Sequence, residues 1–369
     1  MRATGSAIDD ESLERHSLRE MTTVSVGNRK IGGGGPCFVA AEAGLNHNGD
    51  VRRAHAMIDA AAAAGVDGVK FQNFLTEDFI GDRSITYEYT VGARTVEESQ
   101  YEMFKRHELP ASAWPELRDH CAERGVVFFS TPTSERSLET LVALGVPLLK
   151  NGSDYLGHLP LIRAMARTGI TTVLSTGMAT IEEVRTAVGA FREAGGGALV
   201  LLHCTSSYPT QAEDVNLRTI PTLAGEFGCP VGLSDHTDGL IAAVGAVALG
   251  ASMIEKHFTL DRGLPGPDHR FSAGPDELRA LVEAIRTTEL SLGSAEIGPA
   301  VSEIRGRTEF RLSCVAATDL PAGHELTPDD IVFRRPGTGV PPGEMARLIG
   351  RRLLRDVSGG AVLLPEMGE

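Results

Sequence analysis

The stretch Val231-Gly232-Leu233-Ser234-Asp235-His236, with Leu240 to Ile254 and Glu255-Lys256-His257 after it, decides the fold. A short apolar run, Val231–Ser234, ends in polar residues. A helical pattern, Gly239–Leu249, then stops at Gly250. A second apolar run, Ser252–His257, ends as the first does. Near-continuous apolar runs are what strands buried on both faces require. Strand, helix and strand in this order predict a unit with parallel strands.

The same unit repeats toward the N-terminus. Strand candidates Cys37–Glu42, Val66–Gln72, Val126–Ser130, Pro147–Lys150, Thr172–Ser175 and Ala198–His203 precede it. Helical patterns Val51–Ala64, Ser112–Arg124, Ser134–Leu144, Leu159–Thr168, Thr180–Ala194 and Leu217–Phe227 lie between them, and Pro275–Leu290 follows the last strand. Asn48-Gly49-Asp50, Ser134, and Thr180 with Glu183 read as helix starts. Eight such units predict an α/β fold, a (β/α)8 TIM barrel over residues 23–290. A doubly wound sheet is the alternative, but Gly32–Gly35 precedes the first strand and no GxxxxGK[ST] occurs.

Leu75–Ala111 shows no clear strand or helix pattern and carries Tyr87, Tyr89, Tyr101 and Phe104; it is expected to form a lid over a site. Residues 291–310 read as a linker. Residues 311–369, rich in Pro and Gly, read as a small, mostly β domain. Residues 1–22 read as an N-terminal extension without the apolar segment of a signal peptide.

Composition narrows the function. The 369 residues carry a net charge of −14, which opposes binding to nucleic acid or an anionic membrane. The charge-free run Leu240–Ile254 is shorter than the ~20 residues that span a bilayer. The 5 cysteines are scattered without a CxxC pair, as expected in a reducing, cytoplasmic compartment.

Polar residues gather where the strands end: Glu42, Lys70 and Gln72, Thr131, Lys150 and Ser153, Ser175, then Ser206 and Tyr208, Ser234 and His236, Glu255 and His257, with Asp268 beyond. In a barrel these ends converge on one face, where barrel enzymes place their sites. His236 and His257 end neighbouring strands, each beside a carboxylate (Asp235, Glu255), so both imidazoles can meet one cation. Two imidazoles with water and substrate oxygens suit Mn²⁺ or Mg²⁺; the bland reading is two hydrogen-bonded core histidines. Cys204 reads either as a third ligand or as a small buried hydrophobe. Lys70 and Lys150 with the nearby hydroxyls make an anion cradle, or pair with Glu42 and Glu255, or both. Lys150 as a Schiff-base lysine is a further reading.

Taken together, Ala41-Glu42-Ala43-Gly44-Leu45-Asn46-His47-Asn48-Gly49, Lys70-Phe71-Gln72, Ser130-Thr131-Pro132, Leu174-Ser175-Thr176-Gly177-Met178, His203-Cys204-Thr205, Ser234-Asp235-His236-Thr237, Glu255-Lys256-His257-Phe258-Thr259 and Pro265-Gly266-Pro267-Asp268 resemble the N-acetylneuraminate (sialic acid) synthase family. Arg311–Leu364, with Arg334-Arg335-Pro336-Gly337-Thr338-Gly339, resembles its C-terminal SAF (antifreeze-like) domain. The resemblance implies condensation of phosphoenolpyruvate with an open-chain N-acylated hexosamine, N-acetylmannosamine or a diacetylated relative, releasing phosphate. It implies His236 and His257 as ligands of Mn²⁺ or Mg²⁺. It implies Lys70, Thr131, Lys150, Ser153, Ser175 and Ser234 on phosphoenolpyruvate, and Gln72, Tyr208, Glu255 and Asp268 facing the sugar. Glu42 would move a proton. Arg335 would reach the sugar of a partner subunit, so the implied assembly is a domain-swapped homodimer.

The chain departs from the family pattern at Ser206, where Asn is common, at Asn151-Gly152-Ser153-Asp154-Tyr155, where the acidic residue is shifted by one position, and at Asn48, where Glu is frequent. These bear on the choice of sugar. The competing expectations are a 3-deoxy-ulosonate-phosphate-type synthase that uses a sugar phosphate, and a sugar-binding barrel without turnover.

Overall fold

The computed structural model describes residues 22–91 and 94–369, so residues 1–21 of the expected extension lie outside the described residues. The chain divides into two compact units, one ending at Gly293 and the other spanning Ser294–Glu369.

Strands β1 (Thr23–Val26) and β2 (Arg29–Gly32) form an antiparallel hairpin. The barrel strands are β3 (Phe38–Gly44) and β4 (Gly68–Asn73), then, after a second hairpin of β5 (Thr86–Val91) and β6 (Arg94–Ser99), β7 (Val127–Pro132), β8 (Leu148–Asn151), β9 (Thr171–Ser175), β10 (Leu199–Cys204), β11 (Val231–Asp235) and β12 (Met253–His257). All eight barrel pairings are parallel, and β12 pairs with β3 to close the ring. The helices are α1 (Val51–Ala63), α2 (Thr76–Phe79), α3 (Gln100–His107), α4 (Ala113–Glu123), α5 (Glu135–Ala143), α6 (Leu159–Arg167), α7 (Ile181–Glu193), α8 (Thr219–Phe227), α9 (Ile241–Ala248), α10 (Pro275–Leu292) and α11 (Ile304–Glu309). The expected helix starts hold. Asp50 accepts from Arg52 N and Arg53 N, and Thr180 and Glu183 form a reciprocal cap.

Strand alternation sorts each strand into two faces. On β3, Val39, Ala41 and Ala43 pack outward in the large cluster beneath the helices, while Phe38 and Ala40 point into the barrel. The inner cluster is Phe38, Ala40, Val127, Phe129, Leu148, Val173, Val200, Leu202 and Met253, closed below by Val24, Val26 and Ile31 of the first hairpin. Two residues further along the same faces stand Glu42, Thr131, Lys150, Ser175, Cys204 and Glu255. The barrel is thus greasy at its base and ionic at its mouth, and the change falls within one step of alternation.

The segment 75–111 differs from its expected lack of pattern. It contains α2, the β5–β6 hairpin and α3. Its apolar residues are few, but they meet: Phe74, Phe79 and Phe104 pack edge-to-face, with Leu45 and Met103 beside them. A cluster this small leaves too short a period for sequence to show. The stretch read as a linker also carries structure, since α10 runs to Leu292 and α11 lies within it.

In the second unit, β13 (Ser313–Ala316) pairs with β14 (Ile331–Arg334), and isolated bridges and 3-10 turns complete a core of Cys314, Leu320, Leu326, Ile331, Val340, Leu348, Leu353, Val357 and Leu363. The Arg335 guanidinium lies 5.2 Å from the centroid of the exposed Phe310 ring.

Gly232 marks where the barrel tolerates no side chain: a Cβ there would lie 2.1 Å from the Met253 carbonyl oxygen and 2.8 Å from Leu202 Cδ2. Gly232→Ala is expected to cost about 2–3 kcal/mol of unfolding free energy through overpacking, measured by urea titration.

Candidate active site

Register brings the site together before any side chain is considered. His257 pairs with Glu42 across β12 and β3, and Glu42 pairs with Lys70 across β3 and β4. Ser234 pairs with Glu255, and Gln72 with Thr131. Gly44, at φ +48, lets β3 bulge here. Its missing Cβ leaves room for Asp268 Oδ2, Glu42 Oε1 and His257 Nδ1, all of which would lie 3.1–3.5 Å from it.

The floor is a buried charge cluster. Lys70 Nζ lies 3.1 Å from Glu42 Oε1 and 3.5 Å from Glu255 Oε1, while Lys150 Nζ lies 3.4 Å from the same Glu255 oxygen. Ser234 donates to that oxygen at 3.2 Å, and Gln72 donates to Glu42 Oε1 at 3.0 Å. Glu42, Lys70, Lys150 and Glu255 are each at most 4% exposed. Burial opposes charge on Glu255, but Lys150 and Lys70 outweigh it and its pKa falls. Burial raises the pKa of Glu42, with Lys70 opposing and Glu255 reinforcing. Burial lowers Lys150, which Glu255 only partly offsets. Neighbouring groups are thus pushed in opposite directions, Glu255 down and Glu42 up, Lys150 down and Lys70 up. Such divergence between neighbouring groups is what proton-moving sites show.

Two imidazoles stand at the rim. The His236 and His257 ring centroids are 5.3 Å apart, a separation at which one nitrogen of each could share a cation. His236 Nδ1 donates to the Thr205 carbonyl at 2.9 Å, which leaves the Nε2 lone pair free. Burial, with His236 and the lysines nearby, holds His257 well below the ordinary range and therefore neutral. Its Nδ1 is buried without a hydrogen-bond partner. Burial lowers the pKa of His236 too, but its contact with Cys204 outweighs this and the pKa rises. The unpartnered nitrogens of the two rings are what a divalent ion would use. Among the described residues no group of three or more His, Cys, Asp or Glu could hold a metal, so an ion held by these two rings would take its remaining ligands from water and substrate.

Every barrel residue singled out above lines one cavity of about 670 Å³: Glu42, Lys70, Gln72, Thr131, Lys150, Ser153, Ser175, Ser206, Tyr208, Ser234, His236, Glu255, His257 and Asp268. Lys70 donates to Thr131 at 3.4 Å, and Ser153 accepts from Gly177 N at 3.0 Å. Gly177 lies so close to the Ser153 and Ser206 hydroxyls that a Cβ there would sit 2.7 and 2.4 Å from them. The Tyr208 ring covers His236 at 4.2 Å. Burial, with Glu42 beside it, pushes Asp268 up to about 6. Buried acceptors and donors without partners, Glu42 Oε2, Glu255 Oε2 and Ser175 Oγ, cluster in this cavity. Each such atom is costly until something polar meets it. A larger groove of about 930 Å³ on the barrel flank, along Pro209–Thr222, has no comparable convergence of ionisable groups.

Two expectations change and a third holds. Asp235 does not support His236: it faces outward and pairs with Lys256 at 2.8 Å. Glu255 belongs to the lysines rather than to His257. Lys70 and Lys150 are ion-paired and also line the cavity, so both readings of them hold. Segment 75–111, expected to cover a site, lines the cavity with Tyr87 and Phe104 and also with Phe79, Ile80 and Met103, which sequence reasoning did not single out; Phe271 elsewhere was also missed. The aromatic content of that segment was the available signal.

Known families match both units of the chain. The NeuB family model matches residues 57–297, and the SAF domain model matches residues 313–367. The chain is 40% identical over 349 residues to the N,N'-diacetyllegionaminic acid synthase of Legionella pneumophila, covering 92% of this chain and 98% of that one. It is 33% identical over 342 residues to the N-acetylneuraminate-9-phosphate synthase of Homo sapiens, covering 92% and 94%. The crystal structure of the N-acetylneuraminic acid (sialic acid) synthetase of Leptospira borgpetersenii superposes with a TM-score of 0.70 at 36% identity, over 78% of this chain and 96% of that one. The barrel and its site define a bond-forming synthase. The chain belongs to the NeuB family, the sialic acid synthase family with a C-terminal SAF domain.

Replacing Glu255 by Gln leaves two buried ammonium groups without their shared carboxylate. The expected loss is about 3 kcal/mol of unfolding free energy at pH 7, partly regained when inorganic phosphate is added. A urea titration with and without phosphate checks both.

Proposed function

We propose that this enzyme condenses phosphoenolpyruvate with an open-chain N-acylated hexosamine to give a nonulosonic acid and phosphate. The observation that carries the reading is one cavity lined by a two-lysine cradle and by two neighbouring imidazoles. An enol phosphate carrying a carboxylate fits the first, and an aldehyde fits the second. The diacetylated sugar is the first to test, because a relative 40% identical is named for a diacetylated product. The apolar wall of Phe79, Ile80 and Phe104 also offers a surface for acyl methyl groups.

In this reading Lys70, Thr131, Lys150, Ser153, Ser175 and Ser234 hold phosphoenolpyruvate and set the face of C3 toward the aldehyde carbon. Gln72, Ser206, Tyr208, Glu255 and Asp268 take the sugar hydroxyls and amide. His236 and His257 would hold Mn²⁺ or Mg²⁺, which when bound supplies Lewis-acid polarisation of the aldehyde oxygen. The new bond joins C3 to the aldehyde carbon, water adds at C2, and the C–O bond to phosphate breaks. Glu42, whose Oε2 is unpartnered, takes the proton of that water as a carboxylate and, once protonated, gives it to the new hydroxyl oxygen; burial, which raises its pKa, favours the protonated stage. Closure by the segment 75–111 excludes water and strengthens each of these contacts.

Arg335, on the SAF domain, is assigned to the acyl group of the sugar bound by a partner subunit, within a domain-swapped homodimer. The described residues include no helix long and apolar enough to cross a membrane. The scattered cysteines, without a CxxC pair, support our proposal of a reducing, cytoplasmic compartment. The test is phosphate release over a panel of N-acetylmannosamine, its 6-phosphate and a 2,4-diacetamido hexose. Release should need phosphoenolpyruvate, an unphosphorylated N-acylhexosamine and a divalent ion together. Release without added metal after chelation, or only with the 6-phosphate, would contradict the reading. Arg335→Ala should raise the sugar KM about tenfold or more with the oligomeric state unchanged in analytical ultracentrifugation.

A further inference from the structure

We propose that Lys256 is a positioning residue, which sets the spacing of His236 and His257 from the outer face of the barrel. The inference rests on the reading of those two imidazoles as ligands of one divalent ion. Lys256 makes no hydrogen bond to either ring. It acts on the backbone that carries them.

Asp235 pairs with Lys256 across β11 and β12, and each is followed directly by one of the two histidines. Alternation sends Asp235 and Lys256 outward, while His236 and His257 line the cavity. A tie between the outward pair therefore fixes the points from which the two inward rings start. Lys256 Nζ donates to Asp235 Oδ2 at 2.8 Å and also to the Thr237 carbonyl. Asp235 Oδ1 accepts from Thr237 N at 2.9 Å and from Thr237 Oγ1 at 2.8 Å. The residues on both sides of His236 are thus bound to the ammonium of the residue that precedes His257. The His236 carbonyl accepts from Thr210 N at 2.9 Å, so the bracketed residue is itself held. Ser234 and Glu255 join the same two strands one step earlier, on the inner face.

Asp235, Lys256 and Thr237 are 1%, 3% and 8% exposed. An ion pair buried this deeply is a poor source of stability, because desolvation offsets most of the attraction and apolar side chains of like volume often serve as well. What it supplies is direction, since every contact of the pair joins a donor to an acceptor at a set place. The two rings differ in how much they depend on it. His236 has the Thr205 carbonyl to orient its Nδ1. Among the described residues no hydrogen bond orients the His257 ring: its Nδ1 is unpartnered, and Asp268 Oδ2 stands 3.9 Å away. Metal-bound imidazoles generally rely on such a bond. The placement of His257 therefore comes from its strand, and Lys256 ties the end of that strand to the backbone around His236.

The test is the Mn²⁺ affinity of the chelator-treated, full-length enzyme, read from the electron paramagnetic resonance signal of the free ion. Lys256→Met should weaken binding about tenfold or more, the usual scale for losing a group that positions a ligand. It leaves Asp235 as a buried carboxylate without its cation, so the variant should also unfold at a lower urea concentration. Asp235→Asn combined with Lys256→Met removes both charges and keeps an acceptor for Thr237 N. It should recover most of the urea midpoint but not the Mn²⁺ affinity. Gly232→Ala is the control for destabilisation alone, because Gly232 lies about 10 Å before Asp235 on the same strand. It should unfold early and keep an Mn²⁺ affinity within about twofold of the wild type. Wild-type affinity in Lys256→Met or in the double variant, or an equal loss in Gly232→Ala, overturns the proposal and leaves the metal reading standing. A wild-type enzyme that binds no Mn²⁺ through the two imidazoles overturns the metal reading, and the role of Lys256 falls with it.

Discussion

Two ammonium groups sharing one buried carboxylate oxygen set the terms for this barrel. Lys70 and Lys150 both approach Glu255 Oε1 within 3.5 Å, in a site where all three residues are at most 4% exposed. Burying an uncompensated charge costs several kcal/mol, so the strands that carry these residues are tied to one another by electrostatics as well as by the ladder. Glu42 joins the same cluster from the neighbouring strand and accepts from Lys70 and Gln72. The balance is incomplete, because Oε2 of each carboxylate has no partner. A site in this condition is prepared to receive a polar molecule, and a protein of net charge −14 thereby offers an anion a local positive floor.

Most of the fold was legible because each strand is an apolar run bounded by helix-start and glycine signals. What the sequence hid was which strand-end polar residue faces which way. Ser234, His236, Glu255 and His257 share the inward parity, while Asp235 and Lys256, their immediate neighbours, pair with each other on the outer face. A run apolar on both sides carries no alternation to reveal this, so Asp235 read as a support for His236 until the strand was built. His203 is a similar case: its Nε2 meets the Val215 carbonyl outside the barrel mouth. Segment 75–111 was legible as a cover over the site, but not the elements within it. Its aromatic residues pack on one another and on Leu45 rather than along a regular face, so no period betrays them.

Family membership and physical reading bear on different parts of the account. Membership is shown over both units of the chain. The roles of individual residues rest on geometry: parity puts them at one mouth, register puts Glu42 between His257 and Lys70, and two glycines, Gly44 and Gly177, clear the space where acidic and hydroxyl groups converge. The departures at Ser206 and Asp154 fall within the lining of the same cavity, which is where a change of sugar would be accommodated.

The central claim is that His236 and His257 ligate one divalent ion. Pulsed electron paramagnetic resonance of Mn²⁺ added to the chelator-treated enzyme measures it directly. The account predicts modulation from two directly bound imidazole nitrogens, falling to one in His236→Asn and in His257→Asn. Bound Mn²⁺ with no nitrogen coupling, or with coupling that survives both substitutions, would contradict it.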